Sequence, residues 1–259
     1  FLRTLSSQDT VRLRLKAALA GFDQASVMTI HSFCRKVLTE NAFESRSFFD
    51  IELVPDQSPF IEQVSRDYFL SWINDLDPVF LKFAVSRGFS PETLSRDLSN
   101  LLSGKDLKIE PDAAVWEDRF DEYRDAVGRI GQILDADLDR IAGLIQADKA
   151  LDKRKYSKRW VSQWLTKTRD KITAEGENAF FDMKEKGDSL YRFTRSRLSA
   201  SVKPGKGAAP GHDLFDLAEE IFEIWQGFEI SLISLKAGFL TFFSRELEKI
   251  KTSRGICFF

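Results

Sequence analysis

The chain has two histidines, and one of them, His31, stands where several side chains could do chemistry: "ASVMTIHSFCRKVLTENAFE", residues 25–44. Thr29, Ser32 and Cys34 lie within three residues of it. Three chemistries suit such a cluster: a cysteine nucleophile with an imidazole base, a metal site, or a turn that contacts a ligand. The first is poorly matched: a three-residue separation, which puts His31 and Cys34 on one helical turn, is common, and the strand-to-helix context is not that of a cysteine protease. The second needs more ligands at short spacing. The other histidine, His212, is remote in sequence, and neither C-x-x-C nor C-x-x-H occurs. The third fits best. Thr29, His31 and Ser32 would project from the carboxyl end of a short strand, where α/β sheets bind ligands. Backbone amides at the following helix start suit a phosphate.

Other chemical signatures are absent. "SNLLSGKDLK" and "KPGKGAAPG" contain Gly-Lys, but neither matches G-x-x-x-x-G-K-[ST]. "RFDEYRD" (119–125) places its carboxylates on a helix surface and not at the end of an apolar strand. No residues that could hydrolyse ATP or cut a phosphodiester are found.

The elements that must position residues 25–44 change character along the chain. Residues 8–20 predict a helix that stops at Gly21. "ASVMTI" predicts a short buried strand, "HSFCRKVLTENAF" a helix with Phe33, Val37 and Phe43 near one face, and "FFDIELVP" (48–55) a second short strand. Beyond Pro59 the pattern is helical. "FIEQVSRDYFLSWI", "DPVFLKFAVSRG" and "SPETLSRDLSNLLSG" open with turn or cap signals, and the last two close at Gly. From 113 to 147, apolar residues from Trp116 through Tyr123, Ile130 and Leu138 to Ile145 step by threes and fours, close to a heptad seam. A protruding helical arm and an ordinary bundle helix both fit. "VKPGKGAAPGHD" (202–213) is a loop. Helix resumes at "LFDLAEEIFEIW", and a last long helix is expected from about 228 to about 253, ending at Gly255.

With 259 residues, 43% hydrophobic and 30% charged, the chain can bury a large core. Two cysteines far apart make no disulfide framework and fit a reducing, cytoplasmic setting. No secretory signal is visible. The apolar stretch 228–243 carries Glu229 and Lys236 and is short for a bilayer span, so a buried helix and no membrane role are expected. Neither end has the look of a natural terminus, so a piece of a longer protein is expected.

The net charge of −2 hides a strong asymmetry. Residues 106–125 hold eight acids and three bases, 149–171 nine bases and two acids, and 184–206 seven bases and two acids. In the first basic stretch, Lys153, Arg154, Lys155, Lys158 and Arg159 interleave with Tyr156, Trp160 and Trp164. Cations with aromatics suit phosphate contact and base stacking. The alternative is a helix whose cations pair with the acidic segment and whose aromatics are core.

"VMTIHSFCRKVL" resembles the T-x-H-x-F block, motif Ib, of superfamily 1 DNA helicases, and "TIHSFCRKVLTENAFES" is most similar to the RecB-type beta subunits of exodeoxyribonuclease V. The likeness continues more diffusely through "LDKRKYSKRW", "HDLF" and the final helix. It implies a mainly α chain: residues 1–45 as the end of a RecA-like 1A domain carrying motif Ib, and residues 46–259 as the helical 1B-type domain inserted into it. It also implies a parent enzyme, an ATP-dependent DNA helicase and exonuclease of double-strand break repair and recombination, with ATP and Mg bound elsewhere and no cofactor, metal or catalytic residue here. Thr29, His31 and Phe33 would contact the single-stranded track, with Ser32 where relatives often carry Gly. The inserted domain would touch duplex ahead of the fork and partner subunits of the gamma and alpha type. AddA-type or UvrD-type helicases, or a non-enzymatic helical interaction module, are the alternatives.

Overall fold

A computed structural model describes residues 8–22, 28–40, 52–102, 116–184 and 187–258. They form nine α-helices and two short strands: α1 Gln8–Ala20, α2 Ile30–Glu40, β1 Glu52–Val54, α3 Ser58–Ile73, α4 Pro78–Ser86, α5 Pro91–Leu102, α6 Phe120–Ala147, α7 Lys158–Glu175, α8 Arg195–Ser199, α9 Asp213–Arg254 and β2 Ile256–Phe258. The fold is mainly α, as the helical pattern beyond Pro59 predicts. It divides into two compact units. One is Gln57–Leu247; the other comprises the residues up to Asp56 together with those from Glu248 onward.

In the smaller unit, α1 ends at Gly21 as expected. The strand expected at "ASVMTI" does not extend over its described part. Met28 and Thr29 are irregular and Ile30 opens α2, while residues 25–27 lie outside the described residues. The cause is local. The Thr29 hydroxyl accepts from the Ser32 amide at 3.2 Å, an N-cap bond that starts the helix immediately after Thr29. The second expected strand forms over Glu52–Val54; residues 48–51 lie outside the described residues. β1 pairs in parallel with β2, in the register Glu52–Ile256, Leu53–Cys257 and Val54–Phe258. Parallel neighbours cannot be joined by a tight turn and need a long crossover. Here the entire Gln57–Leu247 unit lies between them in sequence.

In the larger unit the core is aromatic. Phe228 is fully buried and meets Phe80, Phe83, Phe120 and Tyr123 at ring-centroid distances of 5.8, 5.4, 5.7 and 5.4 Å. Asp77 fixes the start of α4: its carboxylate accepts from the Val79 amide at 2.8 Å and from Arg124 Nη2 of α6 at 2.6 and 2.7 Å. The seam predicted over 113–147 is realised from Phe120, with Tyr123, Val127, Ile130, Leu134, Ile141 and Ile145 buried. Residues 113–115 lie outside the described residues. The helix kinks at Asp137 and packs against α7. It is a bundle helix and not a free arm, because its apolar seam is already covered.

The break expected near residue 228 does not occur: α9 is one helix of 42 residues. Its internal glycines are packing positions. A Cβ at Gly227 would lie 2.9 Å from Glu117 Cδ, and one at Gly238 would lie 2.9 Å from the Tyr68 hydroxyl. That hydroxyl donates to the Leu235 carbonyl at 2.6 Å. By length and composition α9 could cross a membrane. In this fold Leu214, Phe215, Ile221, Phe228, Leu235 and Phe243 are among its buried side chains.

Candidate nucleic-acid interface

The two basic stretches are brought together by backbone bonds. Asp148 accepts from the amides of Ala150 and Leu151 at 2.6 and 3.1 Å and turns the chain after α6. Leu151 then forms an antiparallel bridge with Val202, flanked by Asp152 N–H to Ser201 O at 3.0 Å and Lys203 N–H to Ala150 O at 2.9 Å. Residues 150–156 are thereby held beside the 190–203 segment. Buried Tyr156 adds a side-chain tie, donating its hydroxyl to the Arg192 carbonyl at 2.7 Å. Burial pushes the phenol pKa up, which keeps it a neutral donor.

The result is a recess of about 370 Å³ lined by Arg154, Lys155, Trp160, Trp164, Arg192 and Arg197, with Tyr156 and Ser201 at its base and no carboxylate in its lining. Trp160 and Trp164, one turn apart on α7, stack at 6.2 Å and 20°. The Arg192 guanidinium lies 4.4 Å from the Trp164 ring centroid, and that of Arg159 lies 6.0 Å from the Trp160 centroid. Trp160 is 48% exposed. Arg192 Nε is buried with no hydrogen-bond acceptor among the described residues.

Each residue singled out from sequence now has a place. Arg154, Lys155, Lys158 and Arg159 are exposed. Lys158 and Arg159 open the first turn of α7, which has no acidic residue. Cations there oppose the helix dipole, so stability alone does not select them. Lys153 differs. It is half-buried, and its ammonium donates to the carbonyls of Ile145 and Gln146 at 2.9 and 2.8 Å, capping the end of α6. That engagement is at odds with a freely projecting phosphate contact. Among the described residues, none of 153–159 forms an ion pair with 116–125. The acids there pair locally: Glu117 with Arg119, Asp121 with Arg124, and Asp125 with Arg129. Asp106, Glu110 and Asp112 lie outside the described residues.

In the smaller unit, Thr29 and Ser32 are exposed, with their hydroxyl oxygens 3.0 Å apart, and Phe33 is exposed. Thr29, Ser32 and Phe33 thus belong to the start of a capped helix. His31 is its second residue; its side chain lies outside what is described. The two residues that sequence did not single out are Arg192 and Arg197. The excess of positive charge over 184–206 signals a basic segment, but only the fold shows which of its cations reach the recess. Among the described residues, no group of three His, Cys, Asp or Glu is placed to hold a metal.

Fold and site together define a class: a mainly helical chain with a cationic, aromatic surface recess. No family model matches the chain. Over 215 residues, 77% of its length, it is 28% identical to the RecBCD enzyme subunit RecB of Escherichia coli strain K12. Over 173 residues, 60% of its length, it is 27% identical to the RecBCD enzyme subunit RecB of Haemophilus influenzae. The chain is therefore related to RecB. Its matched region spans 16% and 14% of the length of these two relatives.

Proposed function

We propose that this chain is the DNA-contacting, non-catalytic part of an ATP-dependent helicase–nuclease subunit of the exodeoxyribonuclease V beta type, acting in double-strand break repair and recombination. In the parent protein, ATP and Mg serve elsewhere, and the setting is cytoplasmic. The smaller unit is the 1A RecA-like remnant, in which Thr29, His31, Ser32 and Phe33 meet the single-stranded track. The larger unit, Gln57–Leu247, is the 1B-type insertion, narrower at both ends than the 46–259 expected from sequence. Arg154, Lys155, Lys158 and Arg159 meet phosphates of the duplex ahead of the fork, and Lys153 positions the turn that carries them. Other faces dock subunits of the gamma and alpha type.

The observation that carries this function is the carboxylate-free cationic recess in a chain related to RecB. The insertion of one compact unit between two paired parallel strands supports the domain assignment. Fluorescence anisotropy of the 259-residue chain with single-stranded, duplex and forked DNA, over a salt series, tests it. Neutralising about four phosphates gives a slope of log K against log salt near −3.6, and each cation replaced by Ala removes about 0.9. No binding at low salt, or a slope unmoved by replacing all four cations, would overturn it.

A further inference from the structure

We infer that the recess between α7 and the 190–203 segment is a binding site for an unpaired nucleotide: one base stacks on Trp160 while its phosphate is held by the surrounding arginines. The inference rests on the proposed function and narrows it, since phosphate contact alone does not distinguish a duplex from a single strand. Four observations carry it. Trp160 is half exposed beside the recess although it is a large apolar side chain in a well-buried unit. It is rigid, because it stacks on Trp164, which is in turn clamped by the Arg192 guanidinium and by edge contacts with Tyr156 and Phe193. The lining is cationic without a compensating acid. Finally, the volume of about 370 Å³ lies at the small end of ligand pockets. That suits one nucleotide and not a helix.

A base paired inside a duplex keeps its faces stacked on its neighbours and cannot offer one to Trp160. An unpaired base can, and an aromatic platform beside phosphate-binding cations takes any base because every base has a π-face. Arg192 serves both parts of the ligand. Its contact with the Trp164 ring fixes the guanidinium, and its charge lies in the recess lining beside the phosphate. Arg154 and Arg197 are exposed and can close on the same phosphate from either side.

The test uses the 259-residue chain and anisotropy of fluorescein-labelled oligothymidylate, an abasic strand of equal length and a blunt duplex. Wild type is expected to bind oligothymidylate more tightly than the abasic strand by roughly 5- to 150-fold, the worth of one stacked base. Trp160→Ala is expected to erase that difference, and Trp160→Phe to keep most of it. The blunt duplex, whose bases are already stacked on one another, reports phosphate contact alone. Phe33→Ala is the control for an exposed aromatic outside the recess. If wild type binds abasic and thymidylate strands equally, or if Phe33→Ala and not Trp160→Ala removes the difference, the inference fails while phosphate binding stands. If no DNA binds, the proposed function fails with it. The abasic comparison needs no variant and so does not depend on how a substitution folds.

Discussion

Lys153→Ala separates the charge that builds the site from the charge that serves it. Its ammonium makes two bonds, 2.9 and 2.8 Å, to the last-turn carbonyls of α6, and it brings a positive charge to the negative end of that helix dipole. A cation so placed is worth about 0.3–1 kcal/mol at the surface and up to about 2 when partly buried. Hydrogen bonds from charged donors contribute about 1.5–3 kcal/mol. Water can reach a half-buried site and replace part of both, so a loss of about 1–2 kcal/mol is expected. Urea denaturation should show it as a lower midpoint at unchanged m-value. The slope of DNA affinity against salt should stay at the wild-type value, whereas Arg154→Ala or Lys155→Ala should lower it by about 0.9 with little change in stability. An unchanged midpoint together with a slope reduced by about 0.9 would refute the assignment. It would mean that Lys153 reaches phosphate and that its helix-end bonds are dispensable.

Two further outcomes follow from the core and from acid titration. Phe228→Ala removes a fully buried ring that touches four others, and should cost about 3–5 kcal/mol. Calorimetry should show it as a fall in Tm of roughly 6–20 °C, and a shift of a degree or two would contradict the central place of this ring. Glu117 is mostly buried, which raises its pKa, but bonds from Arg119 and from the Asp118 and Arg119 amides outweigh burial and hold it below 4.5. Its folded value thus lies below its unfolded value. It contributes stability above about pH 4.5 that is lost as pH falls through the folded value. Denaturation midpoints of Glu117→Gln measured from pH 6 to pH 3 should fall less than those of wild type, and parallel curves would remove Glu117 from the acid transition.

Local signals were enough for much of this molecule. Apolar spacing marked α1, α2, α3 and α6, cap and turn signals marked α4 and α5, both parts of α9 read as helix, and Pro and Gly marked the loop after 202, because helix formation and turn chemistry depend on neighbours a few residues apart. Residues 25–44 carried the relationship to RecB, and the charge runs marked the basic segments. What sequence could not decide depended on distant partners. The break expected near 228 is absent, and Gly227 and Gly238 are where Glu117 and Tyr68 press against a continuous helix. The seam of α6 fitted an arm or a bundle until α7 covered it. Lys153 carries the same charge as its neighbours, yet the end of α6 claims it, while Arg192 and Arg197 join the recess through the bridge of Leu151 to Val202. Charge and periodicity along a chain are sums over near neighbours. Which cations converge on one recess is fixed only when segments about fifty residues apart are bonded side by side.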